Sequence, residues 1–127
     1  MNDATATVQR YLDIWNQADA DACAGSIGRA WADDASYADP LMNAHGRTAI
    51  AAMIGAAQAH YPAHRFVPHG AVDVHGANLR FSWRLHDAAG KFVAQGTDFA
   101  VLDAEQRFST VTGFLDPLTD TAPAARP

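Results

Sequence analysis

Three side chains in this sequence are of the types needed to move a proton next to a carbonyl group: Asp98, Asp39 and Tyr11. Asp98 is the most informative. In the stretch 91–103, strand alternation puts Phe92, Ala94, Gly96, Asp98, Ala100 and Leu102 on one face, and Asp98 is its only polar member. Ala94, Gly96 and Ala100 are small, which leaves room above that face. A carboxyl facing an apolar hollow resists ionisation, so its pKa rises, and the neutral acid can donate a hydrogen bond. The opposite face carries Val93, Phe99 and Val101, so a curled strand would instead leave Asp98 in solvent. Asp39 precedes Pro40, which holds its backbone extended and lets the carboxylate be aimed. An Asp-Pro pair is also an ordinary start to a loop. Tyr11 lies on the apolar stripe of a helix, where a buried hydroxyl needs a partner. It also suits a core tyrosine with its hydroxyl at the rim. Taken together, a base, a phenol and a neutral acid are the set that abstracts an α-proton and stabilises the enolate oxygen.

The elements that must position these groups follow from periodicity. Val8, Tyr11, Leu12 and Trp15 recur as one face of a helix over about 3–17. Asp19 caps a second helix that buries Cys23, Ile27, Ala30 and Trp31, and Asp33-Asp34 ends it. Residues 35–39 are short and extended. Gly46-Arg47-Thr48 opens a third helix with Ile50, Met53, Ile54, Ala57 and Tyr61 on one stripe, and Pro62 stops it. Strands follow: 66–75, bent near Pro68 and Gly70; 79–85, with Leu79, Phe81, Trp83 and Leu85 on one face; then 91–103 and 107–115. This is an α+β class. The expected architecture is a cone-shaped barrel, with three N-terminal helices packed on a curved, mostly antiparallel sheet around an apolar cavity. One domain spans 1–116. The proline-rich end, 117–127, is expected to be a disordered extension.

Composition excludes several function classes. The chain has 127 residues, 49% of them hydrophobic, enough for one packed core. Nine Lys and Arg against fourteen Asp and Glu give a net charge of −5, which disfavours nucleic acid and anionic membrane surfaces as partners. No basic start leads into an apolar run, and no stretch approaches the ~20 apolar residues of a membrane span. The single Cys23 excludes an internal disulfide and a cysteine-based metal site, and a cytoplasmic location is expected. Among the six histidines, Pro62 interrupts the helix that would align His60 with His64, so no metal is expected. No glycine pattern cradles a phosphate, and no cofactor is expected.

The segments Val8-Gln9-Arg10-Tyr11, Ala32-Asp33-Asp34-Ala35-Ser36-Tyr37-Ala38-Asp39-Pro40, Gly46 to Ile50 and Thr97-Asp98-Phe99 resemble the bacterial ketosteroid isomerases. These are one branch of the nuclear transport factor 2-like superfamily, which also holds the SnoaL-like polyketide cyclases. The resemblance covers about residues 5–116. It implies that Asp39 is the base, and that Tyr11 and Asp98 bind the oxyanion.

The expectation is a cofactor-free isomerase or cyclase acting on a small hydrophobic carbonyl compound. Trp15, Trp31, Met53, Phe81 and Trp83 would line its substrate site. The competing reading is a non-catalytic module that binds an apolar ligand or partner in the same cavity. An outer sheet face carrying Val93, Phe99, Val101 and Val111 would pair two copies into a homodimer.

Overall fold

The computed structural model describes residues 3–117. The extension expected at 117–127 lies, apart from Pro117, outside them. Helix α1 (Asp3–Asn16) presents Val8, Tyr11, Leu12 and Trp15 inward, all buried, as its 3.6-residue period dictates. Helix α2 (Ala20–Ala30) starts where the Asp19 carboxylate accepts the Ala22 N–H at 3.0 Å. It buries Cys23 and Ile27 and ends earlier than its apolar stripe suggested. Trp31 is fully buried and opens strand β1 (Trp31–Ala38), and Asp33 and Asp34 are exposed strand residues, not a helix end. Strand β2 (Asn43–His45) pairs back on β1, with Ser36 opposite His45. Helix α3 (Arg47–His60) follows Gly46, whose φ of +87° makes the turn and whose N–H reaches the Ala35 carbonyl at 2.7 Å. It buries Ile50, Met53 and Ile54.

Four long strands complete the chain: β3 (Arg65–His75), β4 (Asn78–His86), β5 (Phe92–Leu102) and β6 (Phe108–Leu115). The sheet has six strands in the order β2-β1-β6-β5-β4-β3. All neighbouring pairs are antiparallel except β1 and β6, which run parallel. It remains open, with β2 and β3 as its edges. In β3 the register shifts between His69 and Asp73, where Gly70 takes φ +80°, so the bend expected near Pro68 and Gly70 is present.

The three helices cover one face of this mixed sheet, and the core lies between them. At its centre the Tyr11 ring touches those of Phe108 (centroids 4.9 Å apart), Phe81 (5.2 Å) and Trp31 (5.7 Å). On the outer face Phe99 is 43% exposed. Val111, expected there as well, is instead buried in the core, because the parallel β1–β6 pairing sets it opposite Tyr37 on the inner face.

Candidate active site

β5 and β6 pair with Asp98 opposite Gly113, and β1 runs beside β6 with Ala38 opposite Thr112. Asp39 and Asp98 therefore flank Gly113 from either side. Both carboxyls reach one hollow of about 110 Å³, lined also by Trp15, Tyr37, Met42, Phe66, Trp83, Leu85 and Ala94. Exposed Leu41, Tyr61 and Leu115 form its mouth. The lining is mostly apolar, with few polar groups, as small-molecule sites are. A more open cleft of about 440 Å³ between α1 and α2 is lined by Arg10, Asp13, Ser26 and Arg29. It contains none of the three chemical side chains, and its guanidiniums bond hydroxyls one turn away, on Thr7 and Ser26.

Asp98 lies on the inner face of β5 and is 2% exposed. Tyr11 donates its O–H to Oδ2 at 3.2 Å, and the Trp83 indole N–H donates to Oδ1 at 3.3 Å. Burial drives the Asp98 pKa up to about 7. The bonds from Trp83 and Tyr11 oppose that rise, and the nearby charges of Asp39 and Asp116 add to it. Desolvation wins because a lone carboxylate here would have traded bulk water for two weak donors. Gly96 makes the Trp83 contact possible: a Cβ there would stand 2.3 Å from the indole ring.

Asp39 has a different environment. The backbone N–H groups of Leu41 and Met42 donate to Oδ1 at 2.8 and 2.9 Å, and the Tyr37 hydroxyl donates to Oδ2 at 2.5 Å. Three donors converge on an acceptor, an arrangement that suits a carboxylate. Pro40 disfavours the helical region for Asp39, and just beyond β1 the chain turns back so that the Asp39 N–H meets the Met42 carbonyl at 2.9 Å. Burial pushes the Tyr37 phenol well above its usual range, with the charge of Asp98 adding to the effect. Tyr37 is therefore a proton-bearing donor.

The structure brings Asp39, Asp98, Trp15 and Trp83 together on the hollow. It brings Tyr11 to Asp98 but not to the lining: Tyr11 is 1% exposed and its hydroxyl approaches Asp98 from the core side. Trp31, Met53 and Phe81, expected to line the substrate site, sit in the solid core instead. Periodicity marks the buried face but not depth along it. Sequence reasoning gave no role to Tyr37 or Gly113. Tyr37 was signalled, since residues two apart on an extended strand share a face, and Tyr37 and Asp39 are so spaced. Among the described residues, no three His, Cys, Asp or Glu side chains gather as a metal-binding set, and no helix is long and apolar enough to cross a membrane.

A family model for the SnoaL-like domain matches residues 8–110. No curated protein matches the sequence. Among solved structures, the "putative isomerase of the SnoaL-like family" from Agrobacterium tumefaciens str. C58 is 44% identical. That match covers 92% of this chain and 100% of the other, with a TM-score of 0.89. A "putative SnoaL-like polyketide cyclase" from Jannaschia sp. CCS1 has 17% identity and a TM-score of 0.72 over 89% of this chain and 85% of its own. An "NTF2-like protein of unknown function" from Exiguobacterium sp. 255-15 has 20% identity and a TM-score of 0.68 over 87% and 98%. The two more distant structures share the fold. With the family model spanning most of the sequence and the Agrobacterium relative matched over its whole length, the chain belongs to the SnoaL-like family.

Proposed function

We propose that this protein is a cofactor-free enzyme that moves a proton next to the carbonyl of a small hydrophobic substrate, as an isomerase or an aldol-type cyclase. One observation carries the reading: two carboxyl groups reach the same apolar hollow from opposite sides of Gly113 with unlike surroundings. Asp39, held by three donors, is the base. Asp98, buried, is the acid that holds its proton up to about pH 7 and donates to the oxygen where negative charge develops. Tyr11 and Trp83 hold the Asp98 carboxyl in place. The names of the Agrobacterium and Jannaschia relatives, "putative isomerase" and "putative SnoaL-like polyketide cyclase", agree with this class of chemistry.

The hollow's size limits the substrate. Sites that enclose drug-sized ligands run to roughly 300–1,000 Å³. About 110 Å³ takes a carbonyl-bearing head group, with any larger apolar body lying across Leu41, Tyr61 and Leu115 at the mouth.

The test uses Asp39→Asn, which keeps the shape and removes the base. Turnover of a small β,γ-unsaturated ketone should fall by about 10²–10⁴ while binding of the product ketone persists. Unchanged turnover would remove Asp39 from the role.

A second reading is a non-catalytic binding module. The existing Tyr11–Asp98 bond favours it, because each group already satisfies the other. Affinity for a series of substituted phenols separates the two readings. An oxyanion site binds more tightly as the phenol becomes more acidic, whereas simple burial is indifferent to acidity.

We also propose that the outer sheet face around Phe99 and Val101 pairs two copies of the chain.

A further inference from the structure

We infer that Tyr37, rather than Tyr11, is the phenol that donates to the substrate oxygen, which lodges in the notch over Gly113 between the Tyr37 hydroxyl and the Asp98 carboxyl. The inference rests on the proton-transfer reading above and assigns a substrate contact within it.

Three observations support the assignment. Tyr11 is ringed by Trp15, Trp31, Phe81 and Phe108, and its hydroxyl is spent on the far side of Asp98. Tyr37 lines the hollow itself. The missing side chain of Gly113 opens a notch whose Cβ position lies 2.8 Å from Asp98 Oδ1 and 3.5 Å from Tyr37 Oη, so a ligand oxygen just above it is within reach of both donors.

The Tyr37 bond to Asp39 gives this donor a second position. In the resting site Tyr37 donates to Oδ2 at 2.5 Å, while Oδ1 is held separately by the Leu41 and Met42 N–H groups. Oδ2 takes the substrate's α-proton. The C–H bonding pair becomes the enolate C=C bond, and the carbonyl π pair moves onto the oxygen. Negative charge has now left Asp39, and the Tyr37 O–H turns from the neutral carboxyl to the enolate oxygen. Asp39 does not swing away, because its two backbone donors remain. When the enolate collapses, Asp39 returns the proton to the γ-carbon, the carbonyl reforms with the double bond shifted, and Tyr37 turns back. The donor follows the charge, so little reorganisation accompanies the transfer.

Substituted phenols, whose ring and single oxygen suit the hollow, provide the test by calorimetric titration. In the wild-type protein affinity should rise with phenol acidity. Tyr37→Phe, which keeps the ring packed against Trp15, should bind each phenol about tenfold more weakly, with a flatter dependence on acidity. Tyr11→Phe should keep the dependence. The tenfold loss should also persist in an Asp39→Asn background, where a residue acting only by positioning Asp39 would have no further effect. An acidity dependence left intact by Tyr37→Phe but lost in Tyr11→Phe overturns the assignment alone. No dependence in the wild-type protein overturns the proton-transfer reading and the assignment with it. A second readout needs no substitution: with ¹³Cζ-labelled tyrosine, the Tyr37 resonance should move most on phenol binding, and a larger shift at Tyr11 would contradict the assignment.

Discussion

Asp39 and Asp98 face each other across Gly113: a Cβ on that glycine would lie 2.8 Å from Asp98 Oδ1 and 3.2 Å from the Asp39 Cβ. An acid on β5 and an acid just beyond β1 share one hollow because the residue between them has no side chain. Gly113→Ala needs no unusual backbone angle, so its cost falls on the two acids. It should destabilise the protein by about 1–3 kcal/mol, the range of overpacked sites, and reduce turnover far more than stability. Paired denaturation and kinetic measurements check this. Full turnover in the alanine variant would show that the approach of the two carboxyls is not used.

The raised pKa of Asp98 makes folding stability depend on pH. Below the ordinary value of 3.8 the carboxyl is protonated in folded and unfolded chains alike. Between there and about 7 the unfolded chain releases the proton and the folded chain keeps it, so rising pH favours unfolding. The contribution is present below 3.8 and is lost as pH climbs toward 7. At about 1.4 kcal/mol per unit it amounts to a few kcal/mol over the window. Denaturant midpoints from pH 4 to 8 should show this loss in the wild-type protein and a weaker one in Asp98→Asn.

Trp83 contributes the N–H on Asp98 Oδ1, which favours the charged form. Trp83→Phe removes that donor and leaves an aromatic ring beside Phe66. The Asp98 pKa should rise further, and the pH-dependent loss of stability should extend to higher pH. A downward shift would mean that water entering the vacated space outweighs the lost bond.

The outer sheet face gives a prediction about assembly. Phe99 is an exposed aromatic on β5, where one charge would disrupt an apolar interface. Sedimentation should find a dimer in the wild-type protein and a monomer in Phe99→Asp. A wild-type monomer would contradict the pairing.

The inward face of β5 was legible in the sequence because a single acid interrupts five apolar or glycine positions, and two-residue alternation admits few alternatives. The stripe of α1 was equally legible. The α2–β1 boundary was not, because Trp31 continues an apolar helical spacing while its backbone is already extended. The depth of Trp31, Met53 and Phe81 was also hidden, since local pattern does not report what packs above a residue. The parallel pairing of β1 with β6 joins segments some seventy residues apart and brings Asp39 beside Gly113, while Val111 is turned inward by lying between Tyr37 of β1 and Ala100 of β5. Gly113 acts through absence, which no residue-type rule identifies.

The two acids are assigned unlike charge states within one hollow, and carbon-detected NMR of the aspartate side chains can observe this residue by residue. The Asp98 carboxyl carbon should titrate near pH 7 in the wild-type protein and disappear from that range in Asp98→Asn. A midpoint near 4 would mean that Asp98 is an ordinary carboxylate at neutral pH, and the neutral donor on which the proposed chemistry depends would not exist.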